Sequence, residues 1–378
     1  MNIKEINGLL WSLIDQQKID SNSSLQESDR IAFFQAVYIS FQTAEAVTGS
    51  IKRFYDIGGY IVCLRFAGEG LIQKITSAIA HLEVQSVNNP DFTVCLWDSV
   101  STNTKMSFLV NLLTELIQVN WPEFLDTRKE IKEFNSDRIL AAYHIGPNIL
   151  SFFDKQANLA VYWLENANQI PYFEHGSPLQ TILNWWTQDH HRQYVHAGAV
   201  GTAKGGVLIA GKGGSGKSTS ALACLNSELT YASDDYCLIA RKPEPYVYSL
   251  YNTVKLRGAN DFQRFPHLVD LITNPNYSQE EKAMIFLHQH YPDKIVKGFP
   301  IKAILAPQIM GGKDTKIKPT TPMNALKALA PSTLFQLSGT GKTALQTMSE
   351  LVKEVDCYIL ELGTDISQIP KVILDLLS

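Results

Sequence analysis

Apolar residues recur at helical spacing at Ile6, Leu9, Leu10, Leu13 and Ile14, and again over 31–46 after a polar break at 21–24. Residues 1–50 are therefore predicted helical. The period then changes. Short β-rich runs at 53–57 and 60–64 flank Gly58-Gly59, which predicts a hairpin. Leu71, Ile72, Ile75, Ile79 and Leu82 form one apolar face and predict a helix over 68–83. A strand over 92–97 and a helix over 106–119, stopped near Trp121-Pro122, complete a small α+β module. The charged stretch Asp126, Arg128, Lys129, Glu130 and Lys132 marks a linker or domain edge, so the first domain is expected at 1–130.

From Arg138 the pattern becomes strand-rich, with candidates at 139–143, 149–153 and 159–164. Ser177-Pro178 is a cap and first-turn pair opening a helix over 178–186. Further strands are predicted at 194–200, 206–210, 229–235, 236–240, 247–251, 301–307 and 356–362. Helices are expected at 322–329, 344–355 and 370–377, and 259–297 reads as polar and helical or irregular. The second domain is expected at 131–378. The fold class is α/β: an α+β N-terminal module plus a mixed-sheet core.

Between two of these elements lies Gly211-Lys212-Gly213-Gly214-Ser215-Gly216-Lys217-Ser218, a glycine, four free positions, then Gly-Lys-Ser. A buried strand precedes it and an apolar helix from Thr219 follows. Glycines let backbone N–H groups converge on phosphate oxygens, and the helix start adds its unpaired N–H groups and positive dipole end. Gly211, Gly213, Gly214, Ser215, Gly216, Lys217, Ser218 and Thr219 are the candidate nucleotide-binding residues. Lys217 would lie along the terminal phosphates and the Ser218 hydroxyl would touch Mg²⁺. The runs on either side of Gly201–Gly205 look like a hairpin, whereas doubly wound folds join parallel strands by helices there.

The strand over 229–235 ends in Asp234-Asp235. Adjacent residues of an extended chain point to opposite sides, so both carboxylates serve one site only if the strand ends or bends there. One would hold Mg²⁺ and the other would accept the proton of an attacking hydroxyl; which does which stays open, with Asp234 the favoured base and Asp235 the favoured metal contact. Lys255 and Arg257 could neutralise a transferring phosphoryl group if the fold returns them to the site, and His196 could orient a phosphate or tune an Asp. Ordinary readings stand beside these: an acidic turn, surface cations and a core histidine. Gly339-Thr340-Gly341-Lys342-Thr343 lacks the full loop spacing and reads as a turn and helix cap.

Composition narrows the classes. A net charge of -4 gives no global basic field for nucleic acid. Five scattered cysteines lack metal-ligand spacing and read as buried free thiols of a reducing compartment. The N-terminus does not read as a signal peptide, and no run of 18 apolar residues suggests a membrane span, so a cytoplasmic location is expected.

The stretch 194–200 with His196, the loop 211–218, and Ala232-Ser233-Asp234-Asp235 resemble, in order and spacing, the core of the HPr kinase/phosphorylase family, and more distantly the ATP-dependent carboxykinases. The resemblance covers residues 190–260; the rest is similar to the broad HPr-kinase-like group, which includes kinases that tailor lasso peptides. It implies a carboxykinase-like phosphate-loop core, ATP and Mg²⁺, with His196 near the phosphates, Lys217 and Ser218 on phosphate and metal, Asp234 and Asp235 as base and metal contact, and Arg257 as a family arginine. The downstream signature of the bacterial HPr kinases is missing, and residues 1–130 do not read as their N-terminal domain. A peptide or small-molecule hydroxyl is therefore the expected acceptor, rather than HPr.

These residues lead to phosphoryl transfer from ATP·Mg²⁺ to a hydroxyl. A nucleotide-hydrolysing switch acting on a partner protein, a carboxykinase-like lyase and a binding module are the alternatives. A switch needs a water-positioning residue, and a lyase needs extra His, Lys and Arg ligands that are only partly visible. The intact Lys217, Ser218 and Asp pair weigh against lost chemistry. The donor base and the acceptor stay open. So does oligomeric state, although the resemblance suggests homo-oligomers.

Overall fold

The computed structural model describes residues 25–127, 129–132, 134–278, 281–336 and 341–378. The helix expected around Ile6–Ile14 falls outside them. The described residues form a mixed α/β fold in two compact units: one spanning 25–55, 60–74 and 84–171, the other 56–59, 75–83 and 172–378.

In the first unit, helix α1 (Glu27–Thr48) lays Phe33, Phe34, Val37, Phe41 and Ala44 on a seven-stranded sheet. The sheet consists of β1 (Ser50–Ile57), β2 (Tyr60–Ala67), β3 (Glu83–Val84), β4 (Phe92–Asp98), β5 (Ile139–His144), β6 (Ile149–Asp154) and β7 (Leu159–Leu164), in the order β3-β1-β2-β4-β7-β6-β5. The expected boundary near residue 130 is thus displaced. β7 pairs in parallel with β4, and β6 and β5 follow as an antiparallel meander, so the strands assigned to the second domain complete the first sheet. Their apolar faces explain this, because Ile139, Ala141, Leu150, Phe152 and Val161 share one core with α1. The helix expected over 68–83 divides into Ile72–Thr76 and a 3-10 turn, Ser77–Leu82.

The second unit is built on a nine-stranded sheet. Its strands are β8 (Gln193–Val195), β9 (Gly198–Thr202), β10 (Gly205–Ile209), β11 (Thr230–Ser233), β12 (Cys237–Ala240), β13 (Tyr246–Ser249), β16 (Gly298–Ile309), β17 (Lys316–Pro319) and β18 (Asp356–Leu362). β14 (Thr253–Leu256) and β15 (Ala283–Phe286) form a separate antiparallel ribbon. β9 and β10 make the expected hairpin. β10 then runs parallel to β16, which runs parallel to β18, so the loop strand lies between an antiparallel and a parallel neighbour. On one face, helix α2 (Lys217–Ala223) and α3 (Gln368–Leu377) pack with the ribbon's Val254, Leu256, Ala283 and Ile285. On the other, α4 (Pro322–Gln336) and α5 (Lys342–Glu354) cover Leu208, Ile304 and Cys357 with Leu329, Met348 and Leu351.

Two single strands expected from sequence are broken. The run 194–200 divides into β8, which pairs with β12, and β9, which pairs with β10 and β11; the chain changes partners at His196-Ala197. The run from Leu229 ends at Ser233, and the chain re-enters the sheet at Cys237 on a different neighbour. Both breaks occur at one level, since Ser233 is paired with Ala199 and Cys237 with Val195. The helix predicted from Pro178 starts at Gln180, with Leu179 left-handed (φ 59°) before it. Residues 259–297, expected without strands, contain β15.

All five cysteines are buried and free, and no helix among the described residues is long and apolar enough to cross a membrane. Gly341 is the N-cap of α5; the remainder of the glycine-rich stretch at 339–340 lies outside the described residues.

Candidate active site

The loop begins where β10 leaves the sheet, with the Ala210 N–H donating to Leu305 O at 2.9 Å. It closes on itself through the Ser215 N–H to Lys212 O, 3.2 Å, and passes into α2 at Lys217. Gly216 has φ +103°, and a Cβ there would overlap Leu362 Cδ1 of β18. A side chain at Gly211 would come within 2.5 Å of Ser215 Oγ. Gly211 and Gly216 thus sit where the loop packs tightly against the Ser215 side chain and β18, whereas Gly213 and Gly214 face open space. Lys217 is buried, and its Nζ donates to Gly211 O at 2.8 Å and to Lys212 O at 3.3 Å. Burial pulls this ammonium below its ordinary range, against the pull of Asp234 and Asp235. Thr219 lies in the first turn of α2.

The broken strands bring the other candidates together. Ser233 Oγ donates to Ala197 O (3.1 Å) and to Tyr236 O (2.9 Å), tying the two crossings to each other. Asp234 and Asp235 fall in the bend after β11, which lets both approach one site. His196 Nε2 is 2.7 Å from Asp235 Oδ1, and Lys255 Nζ is 3.0 Å from Asp235 Oδ2. The His196 N–H donates to Thr333 Oγ1 of α4 at 3.1 Å, and its ring lies 5.0 Å from that of Tyr236. The imidazole is held from its backbone, from its flank and at Nε2.

The two carboxyls have opposite electrostatics. Asp234 is 3% exposed. Burial, and then the charge of Asp235, push its pKa up to about 6, although a hydrogen bond from Ser218 works the other way. Its Oδ1 is buried with no hydrogen-bond partner among the described residues. Burial would raise Asp235 too, but Lys255 and His196 outweigh it and hold this carboxyl well below the usual range. One carboxyl is a permanent anion; the other is poised to exchange a proton near neutral pH.

The structure thus brings together the loop, Lys217, Ser218, both Asp residues, His196 and Lys255. Arg257 is exposed at the mouth, its backbone N–H donating to Asp261 Oδ2 at 2.7 Å, and its charge acts on Lys217 and Lys282. Sequence reasoning missed Lys282 on β15's leading edge; the only local signal was the switch from the polar run 278–282 to the apolar run 283–286. Ser218 touches Asp234, whereas the expected metal partner Asp235 already holds two cationic or hydrogen-bonding neighbours. Among the described residues no group of three or more His, Cys, Asp or Glu could hold a metal ion by itself. The Ser218 hydroxyl and the ionised Asp235 carboxylate are the donor types that suit a Mg²⁺ taking its remaining ligands from phosphates and water.

Beside the loop, Gly211, Lys212, Ser215, Pro307, Gln308 and Lys327 line part of a cleft of about 370 Å³. No family model matches the chain, and no curated protein does. Among solved structures it is similar to the HPr(Ser) kinase/phosphatase from Coxiella burnetii, at 13% identity and a TM-score of 0.28, over 49% of this chain and 95% of that one. A likeness this distant carries no residue roles across.

Proposed function

We propose that this chain is an ATP- and Mg²⁺-dependent kinase that transfers the γ-phosphoryl group to a hydroxyl of a peptide or small molecule. The observation that carries the reading is Asp234: a buried carboxyl with a free oxygen and a pKa near 6, next to the hydroxyl that follows the loop lysine. A general base works best when its pKa lies near the working pH. In the reaction the acceptor oxygen bonds to the γ-phosphorus as the bond from that phosphorus to the β,γ-bridging oxygen breaks. The acceptor proton passes to Asp234 Oδ1, and ADP leaves.

Lys217 would exchange its loop carbonyls for the terminal phosphates. Ser218 and Asp235 would hold Mg²⁺, which supplies charge neutralisation to the β- and γ-phosphates and leaves Asp234 Oδ1 to the acceptor proton. Asp235, ionised throughout, provides the fixed negative charge, and Lys255 and His196 position it. The cleft beside the loop has the volume and mixed polarity for a base and ribose.

The test is incubation with γ-labelled ATP, Mg²⁺ and a peptide and small-molecule extract of the host, with label followed by mass. Label on a hydroxyl-bearing product, lost in Asp234→Asn and Lys217→Ala, is the expected result. Free phosphate alone, at a rate unaffected by the extract, would replace the kinase reading with a hydrolysing switch.

A further inference from the structure

The ribbon β14–β15 has two faces of opposite character. Val254, Leu256, Ala283 and Ile285 enter the core. The alternate residues Thr253, Lys255 and Met284 face Gly176, whose hypothetical Cβ would meet Lys255 Cε and Met284 Sδ at 3.1 Å and Thr253 Cγ2 at 3.2 Å. The ladder pairs Lys255 with Met284 and Leu256 with Ala283. Arg257 remains extended (φ −107°, ψ 92°), so one more step of this register sets Arg257 opposite Lys282, on the same face as Lys255. That rung lies about 7 Å beyond Lys255, and opposed residues stand about 5 Å apart.

Two cations facing each other across a ladder repel. Lys255 on the preceding rung is already engaged by Asp235. Among the described residues neither Arg257 nor Lys282 makes a salt bridge. Lys282 is half-buried, and burial together with Arg257 pulls its ammonium below the ordinary range. Asp234 and Asp235 are close enough to act on it, which puts the rung at the mouth of the site.

Resting on the phosphoryl-transfer reading, we propose that the Arg257–Lys282 rung is a phosphate subsite separate from the glycine-rich loop. A planar guanidinium fork and a mobile ammonium suit a tetrahedral oxyanion. The phosphate could be the group in transit from the nucleotide or one that the acceptor already carries.

Inorganic phosphate, titrated into the full chain by calorimetry, is the probe. It is run alone, with saturating Mg·ADP and with a non-hydrolysable Mg·ATP analogue. The expected result is binding that weakens at least tenfold in Lys282→Met and in Arg257→Met and is retained in Lys282→Arg. Persistence with the ATP analogue assigns the subsite to the acceptor's phosphate; persistence with Mg·ADP alone assigns it to the transferring group. Phosphate binding unchanged in both Met variants, or none at millimolar concentration in the parent protein, overturns the proposal. Mg·ADP affinity is measured in parallel. Its absence in the parent protein would sink the kinase reading and leave the anion subsite standing on the phosphate titration.

Discussion

His196 Nε2 and Asp235 Oδ1 lie 2.7 Å apart, across the place where two strands change partners. Neither residue is in a strand. The imidazole comes from the gap between β8 and β9, the carboxyl from the gap between β11 and β12. The contact positions Asp235 without occupying Asp234. His196→Ala is therefore expected to lower kcat about tenfold, with a stability loss of about 1–3 kcal/mol from the orphaned acceptor. His196→Gln, which keeps a donor, should recover most of both, as read by steady-state kinetics and urea denaturation.

Asp234 should show the opposite balance of activity and stability. The folded chain takes up a proton on this residue near pH 6, whereas an ordinary Asp does so near 3.8. The stability gained from that proton is complete below about 3.8 and is lost as the pH rises through about 6. Above that, the fold carries a buried charge that costs about 3 kcal/mol. Asp234→Asn is thus expected to unfold at higher denaturant than the parent at pH 7.5 and at the same denaturant at pH 3.5. Its kcat should fall about 10²- to 10⁴-fold. In the parent, kcat/KM should rise with pH through about 6. A kcat/KM that stays flat from pH 5 to 8 would remove Asp234 from the base role.

Asp235 has the reverse sign. Its folded pKa is depressed, so its contribution to stability is present above the ordinary carboxylate range and lost as the pH falls through the folded value. Asp235→Asn leaves Lys255 and His196 without their anion and should cost about 2–3 kcal/mol at neutral pH. It also removes a charge that raises Asp234. The acid limb of the kcat/KM profile should therefore move below about 6 in this variant. An unmoved limb would mean that the two carboxyls do not communicate.

The loop, the hairpin before it and the Asp pair were legible because each is written in consecutive residues. Gly211–Ser218 needs no tertiary knowledge, and the condition set by Asp234-Asp235, that the strand must end there, is local too. The breaks in the two predicted strands were not legible. Tyr194–Val200 alternates well enough for one strand, and only pairing of β8 with β12 and of β9 with β10 divides it. Lys282 was missed for a related reason, since its neighbour Arg257 is set by a ladder between segments 26 residues apart. The unit boundary was misplaced because charge near residue 130 marks a surface turn as readily as a linker. The pairing of β7 with β4, which decides the matter, is non-local.

The loop glycines separate two kinds of constraint. Gly216 has a left-handed φ of +103°, and a Cβ there overlaps Leu362 Cδ1, so Gly216→Ala strains the backbone and disturbs the packing of β18. The expected cost is about 1–3 kcal/mol of stability. Gly213 is different: a Cβ there meets nothing within 4 Å and no left-handed φ is required. Gly213→Ala should fold with stability within about 0.5 kcal/mol of the parent. If the loop's backbone N–H groups embrace phosphates, that added methyl still intrudes where the phosphates must come close. Gly213→Ala is then expected to weaken Mg·ATP binding at least tenfold in a fluorescent-nucleotide titration, while its urea midpoint stays put. Gly216→Ala should lose both. Full nucleotide affinity in Gly213→Ala would place the phosphates elsewhere on the loop.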